Sequence, residues 1–328
     1  MVLPGHVWRQ PPGRAPQGPA PLSGPEPRVA FDRTREALGP RYRLERIVAS
    51  SAERVLFQGY DEVLKRRVSI RVNFYVHESV RAFAHRSRFP VYPVNVHLGF
   101  PAQLARMRFE AVVLHYTMFY SSFEALQGPF GDYVGEAGDL RVAMFQDEQA
   151  YLDRRLAFCR STGIACVYTC IEPPHAERIY GAAGVGRVVT YLPGYVSDRL
   201  VTEAARLARP DARRPIDIGY RGRRAPDAWT GAAREKYEIA AGFERRAADL
   251  PFSLDISTDE SKRIYGRRWL RFIARCKGML GTESGADIPE PDGEGTIPYR
   301  TISPRHLEAA ALRSCQILYD GRYSGILE

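Results

Sequence analysis

Several polar residues stand where an apolar run gives way to a turn. His115 closes EAVVLHY, and Asp147 and Glu148 follow LRVAMFQ. Arg221 and Arg223 sit in YRGRR after PIDIGY, and Glu283 and Ser284 sit in GTESGAD after KGML. In open α/β sheets ligands gather beyond the carboxyl ends of the strands, so these positions are where chemistry is expected. Asp147 is suited to accept a proton from a hydroxyl nucleophile, and equally to cap the helix that follows it. His115 can do acid–base work, although a single His in an apolar run is more often a satisfied core residue. Arg221 and Arg223 can hold phosphate oxygens through charge-assisted hydrogen bonds; the plainer reading is a solvated basic turn. Glu283 and Ser284 read as ligand contacts or as turn residues. Glu308 lies near the start of the helix in PRHLEAAA, where the helix dipole favours a carboxylate.

Metal chemistry has little support. Cys159, Cys166 and Cys170 cluster, but their spacing does not match the paired C-x-x-C of a zinc site. They read as buried free thiols.

The chain has 328 residues, long enough for one large domain or two ordinary ones. With 45% hydrophobic and 26% charged residues it falls among globular proteins and outside the disordered and collagen-like classes. Its longest apolar runs are strand-sized, and MVLPGHVWRQPPG does not read as a secretory signal, so a cytoplasmic protein is expected. Contact with a membrane surface stays open. The net charge is +9, yet only four of the 47 basic residues are Lys, and the Arg residues are spread along the chain among acids. That distribution does not predict nucleic-acid binding; a small anionic ligand accounts for it as well.

Residues 1–28 are rich in Pro and Gly and are expected to be disordered. Residues 29–67 read as a short β-rich segment. Strand-like and helix-like runs then alternate. Strands are expected at 68–74, 91–96, 110–116, 140–146, 164–170 and 187–192. A second series follows, with strands in PIDIGYRG, FSLDIS, KGMLGTES and CQILYD, and a last helix capped by Ser303 with Pro304 in its first turn. The strands are apolar runs rather than clean alternations, which predicts parallel sheets covered on both faces. The fold class expected is α/β, with two Rossmann-like domains facing a cleft, 68–199 and 200–328.

Short blocks in a fixed order carry a resemblance. They include RFPVYPVNVHLGF, LRVAMFQDEQAYLD, GIACVYTCIEPPHAERIYG, RPIDIGYRGRR, LGTESGAD and ISPRHLEAAALRSCQILYDGRYSGILE. Over roughly residues 70–328 the chain resembles a bacterial glycosyltransferase-like family of the two-Rossmann (GT-B) type, found in polysaccharide or cell-surface glycan loci. The resemblance implies a nucleotide-sugar donor on the C-terminal domain and a glycan or lipid-linked acceptor on the N-terminal one. Under that reading the strand-end and turn positions make Asp147 and His115 the catalytic candidates and Arg221, Arg223, Glu283 and Ser284 the donor contacts, and the resemblance implies Glu308 as a further donor contact on the ribose hydroxyls. The related enzymes often carry a further Glu eight residues before that one; here the position is Arg300. No Asp-x-Asp stands at a strand end, so no divalent metal is demanded and no cofactor is expected. A catalytically inactive, truncated sugar-nucleotide-binding or structural protein is the alternative, since relatives continue beyond the position of Glu328.

A shorter resemblance covers residues 38–72, which are similar to the opening of a bacterial Ser/Thr protein kinase. The glycines of the phosphate-covering loop fall on Ala49, Ser51 and Arg54, and the catalytic Lys falls on Arg71. The segment is expected to form antiparallel strands without binding ATP. Otherwise the likeness is chance, with Val68–Phe74 the first strand of the following domain.

Overall fold

The computed structural model describes residues 5–8, 42–50, 54–62, 66–94, 106–107, 109–119, 123, 126–136, 140–224, 231–290 and 295–327. The chain divides into two compact units, Met1–Arg141 and Val142–Glu328.

In the first unit, β1 (Gly5–Trp8), β2 (Tyr42–Ser50), β3 (Arg54–Asp61) and β4 (Arg66–Asn73) form an antiparallel sheet in the order β1-β4-β3-β2. The kinase-like segment therefore forms antiparallel strands, as expected. Two expectations are corrected. Residues 1–28 are not wholly without regular structure, because β1 pairs along β4 from Gly5↔Val72 to Trp8↔Ser69. Sheet pairing uses backbone groups that every residue but Pro supplies, and His6-Val7-Trp8 is a Pro-free, β-prone run. Val68–Phe74 does not open a parallel sheet either: β4 pairs antiparallel with β3 and β1, and Phe74 begins helix α1 (Phe74–Arg86).

The strand expected at 91–96 is also missing over residues 91–94; residues 95–96 lie outside those described. Pro90 and Pro93 remove two ladder donors from that stretch. β5 (Ala111–Leu114), a single helical turn at Tyr116–Phe119 and α2 (Pro129–Glu136) follow.

The second unit alternates strand and helix, opening with β6 (Leu140–Met144), inside which the boundary between the units falls. Then come α3 (Leu152–Thr162), β7 (Cys166–Thr169), α4 (Pro173–Gly181) and β8 (Arg187–Thr190). β6, β7 and β8 pair in parallel, with Val142 opposite Cys166 and Cys166 opposite Arg187. Helix α5 (Asp198–Leu207) is capped by Ser197, whose hydroxyl accepts from the Leu200 N–H.

The chain then builds β9 (Ile216–Arg221), α6 (Ala232–Ala247), β10 (Leu254–Ser257), α7 (Gly266–Ile273) and β11 (Cys276–Gly281). Four two-residue strands follow: β12 (Ser284–Gly285), β13 (Ile288–Pro289), β14 (Thr296–Ile297) and β15 (Arg300–Thr301). The last elements are α8 (Pro304–Ala311) and β16 (Cys315–Leu318). The second sheet runs β10-β9-β11-β16, with every pair parallel. It is covered on both faces. Trp269, Phe272 and Ile273 of α7 pack with Ile216, Met279 and Ala309, while Ala240, Ile239 and Phe243 of α6 pack with Tyr220, Leu280 and Ile256. Burying each large apolar side chain contributes about 1.5–3 kcal/mol, which is what fixes these helices over the strand ends.

The protein is thus an α/β protein with parallel sheets. Among the described residues no helix is long and apolar enough to cross a membrane.

Candidate functional site

The carboxyl ends of β9 and β11 and the start of α8 enclose a cleft with about 770 Å³ of empty space, its open mouth included. Arg223, Lys236, Arg263, Arg305, Ser284 and Ser303 contribute to its wall. α8 reaches the strand end because position 281 is glycine: a Cβ there would stand 2.4 Å from the His306 ring. His306 in turn bonds the Thr282 carbonyl at 3.0 Å and Gln316 Oε1 at 2.8 Å. Lys236 is placed by α6, whose Lys236 carbonyl accepts from the Tyr220 hydroxyl at 2.9 Å.

The electrostatics of this cleft are one-sided. Arg221, Arg223, Lys236, Arg263 and Arg305 line it, and no carboxylate does among the described residues. Burial pulls the Lys236 amine down from 10.5 to about 8, and Arg223 and Arg305 push it the same way; Asp147 and Glu235 oppose them. Burial likewise lowers Arg305, with Arg263 adding to the effect. Arg305 donates to the Arg221 carbonyl and lies over the Trp269 ring, 5.2 Å from its centroid. Cations gathered at a helix start and partly desolvated suit a ligand carrying several negative charges.

The sequence-expected residues fall into distinct settings. Arg221 and Arg223 reach the cleft, but the Arg221 guanidinium is engaged elsewhere. It donates to the Asp255 carbonyl at 2.8 Å and to Asp255 Oδ1 at 2.7 Å, and stacks 4.4 Å from the Phe272 ring centroid. Ser284 lines the cleft. Glu283 does not: its carboxylate is buried, accepting from the Tyr323 N–H at 2.7 Å and from Arg300 at 3.4 Å. Arg300 also pairs with Glu235 at 2.7 Å, so one guanidinium ties two carboxylates together. Glu308 accepts at 2.6 Å from the indole N–H of Trp269, a residue of the cleft wall. Ser303 is the N-cap of α8 as expected, though its hydroxyl makes no cap bond.

Asp147 adopts a left-handed backbone with φ 54°, sparsely populated for a residue with a side chain. Its N–H donates to the Tyr299 hydroxyl at 3.1 Å. It does not cap α3, whose N-cap is Tyr151. Burial raises its carboxyl pKa, against the pull of Arg155, Lys236 and Arg223, which places Asp147 within electrostatic reach of two residues of the cleft. The neighbouring Glu148 is fully buried, accepting from Thr169, from the Tyr180 hydroxyl at 2.5 Å and from the Cys170 N–H at 2.9 Å. Those bonds anchor the turn that carries Asp147.

His115 belongs to the first unit. Its two ring nitrogens face the Ser79 and Thr117 hydroxyls at 3.2 and 3.0 Å, and burial lowers its pKa to about 4. The ring is therefore neutral near pH 7.

Sequence reasoning missed Lys236, Arg263 and Arg305. A signal existed for Arg305: a cation in the first turn of a helix opposes the dipole there, so its placement needs another reason. The five cysteines are free thiols, and no cluster of His, Cys, Asp and Glu that could hold a metal occurs among the described residues. No family model, no curated protein and no solved structure matches the chain.

Proposed function

We propose that the protein is a cytoplasmic glycosyltransferase of GT-B type. It would transfer a sugar from a nucleotide-sugar donor to a glycan or lipid-linked acceptor, with the strand–helix series from β9 onward holding the donor. The observation that carries this reading is the cleft at the carboxyl edge of β9 and β11, lined by five cationic side chains and no carboxylate among the described residues. A departing nucleoside diphosphate accumulates negative charge as the glycosidic bond breaks. Arg223, Lys236 and Arg305 are placed to stabilise that charge where water is partly excluded. Asp147, whose raised pKa makes it a better proton acceptor, would take the proton of the acceptor hydroxyl. Ser284 would supply a neutral hydrogen-bonding group, and Glu308, which does not line the cleft, would act through the Trp269 ring it holds rather than on the donor ribose.

One observation favours the catalytically silent alternative. Glu283 is held by Arg300 and the Tyr323 N–H and does not line the cleft. Two measurements on one sample separate the readings. Ligand-observed saturation-transfer NMR against nucleoside diphosphates and nucleotide-sugars reports binding, and chromatographic release of the free diphosphate reports turnover. Binding with turnover supports the enzyme, and binding alone supports the silent protein. The absence of binding across the panel removes the enzyme and the sugar-nucleotide-binding protein and leaves a structural one.

A further inference from the structure

Lys236 is one of only four lysines in the chain, and the only one in the cleft wall. Lys262 is exposed, Lys277 pairs with Asp217 at 2.6 Å, and Lys65 lies outside the described residues. Arg223 and Arg305 stand beside Lys236 on the cleft wall, and Asp147 and Glu235 are the carboxylates acting on it. A phosphate held by the two guanidiniums would therefore sit next to an amine.

We propose that Lys236 is an acylation site for small acyl phosphates, the cleft holding the phosphate while the amine attacks the acyl carbon. The proposal rests on the reading of the cleft as a phosphate site and not on sugar transfer. In the step, the neutral amine forms an N–C bond to the acyl carbon. The C–O bond to phosphate breaks, inorganic phosphate leaves with the electron pair, and the surplus proton on nitrogen passes to solvent. The product is an amide without charge, so the reaction removes one cation from the cleft and closes the site to a diphosphate.

The amine is equipped for this. With a pKa of about 8 in the empty cleft, roughly half of Lys236 is neutral at pH 8, against under about 1% of an ordinary lysine, and a bound acyl phosphate lowers that share without abolishing it. Part of that advantage is lost because a less basic amine is a weaker nucleophile. What remains is a preference of a few-fold over the exposed lysines with any acyl donor, and holding the phosphate beside the amine raises it to about tenfold for acyl phosphates.

The test incubates the full-length protein with acetyl phosphate at pH 8 and follows each lysine by quantitative peptide mass spectrometry. Lys236 should acylate about tenfold faster than Lys262 and Lys277. Inorganic pyrophosphate should slow Lys236 alone, and Arg305→Ala should bring the Lys236 preference with acetyl phosphate down to the one it shows with acetic anhydride. Acetic anhydride, which has no phosphate to hold, should show a smaller preference. Equal rates at Lys236 and Lys262, or the same preference with both reagents, would overturn the proposal. Nucleoside-diphosphate binding without Lys236 acylation sinks this inference alone. Pyrophosphate-protected acylation without nucleotide binding supports it and sinks the functional reading instead.

Discussion

A cation in the first turn of a helix opposes that helix's dipole, and Arg305 stands there with Lys236 and Arg263 around the same cleft. Nothing in a linear reading joins Lys236, within α6, to Arg305, within α8. The strand-end rule found Arg223 and Ser284 because their positions follow from local pattern alone. It could not tell that Arg221 turns to Asp255, because that depends on the neighbouring strand β10. Arg221→Ala should therefore act mainly on stability. It removes charge-assisted bonds to Asp255 at a cost of about 2 kcal/mol, readable as a shifted denaturation midpoint.

Lys236 gives a pH prediction. Between pH 8 and 10.5 the unfolded chain binds more protons at this residue than the folded chain. Its destabilising effect is thus fully present below pH 8 and is relieved as pH rises through that window. The difference in stability between wild type and Lys236→Met should shrink across the same range in chemical denaturation. A bound polyanion favours the charged amine, so ligand affinity should fall as pH rises past 8.

At the scale of elements, the alternation of strands and helices from residue 140 onward was legible in the sequence, with strand boundaries shifted by up to three residues and helix starts by up to five. Parallel strands buried on both faces leave apolar runs bounded by helices with clear stops, such as Gly163 at φ 60° after α3. What failed lay where pairing is non-local. β1 is an edge strand held by β4 some 60 residues away, and 91–94 is apolar but loses a ladder donor at Pro93. The small pairs β12–β15 and β13–β14 were also invisible, since two residues carry no periodicity. The β12–β15 pair depends on Gly285, which sits at φ 125° with the Tyr299 carbonyl oxygen 2.0 Å from where a Cβ would be. Gly285→Ala should cost about 2–4 kcal/mol from strain and clash together. Because Tyr299 also receives the Asp147 N–H, thermal unfolding should show the loss as a lowered melting temperature.

At the scale of the molecule, the second unit contains two parallel sheets, and side-chain ties run between the segments that build them. Arg178 donates to both Glu290 oxygens at 2.6 and 2.7 Å, and Arg322 pairs with Glu172 at 3.1 Å. The Arg178 side chain is 48% exposed, so Glu290→Gln should change stability by under about 1 kcal/mol, and less at high salt. A larger, salt-independent loss would show that the pair is more than a surface contact. Two successive strand–helix series were readable from the sequence. The placing of the division between the compact units inside β6 was not, because it depends on contact density rather than on composition.

The central claim is that the cleft between β9, β11 and α8 binds a nucleoside diphosphate through Lys236 and Arg305. Isothermal titration of a nucleoside diphosphate at low salt tests it most directly, on wild type, Lys236→Ala, Arg305→Ala, and the exposed controls Arg154→Ala and Arg245→Ala. The account predicts saturable one-site binding to wild type. Each cleft variant should lose about ten- to a hundredfold, and the controls should be unchanged. Wild type that binds no nucleoside diphosphate, or five proteins that bind alike, would contradict it.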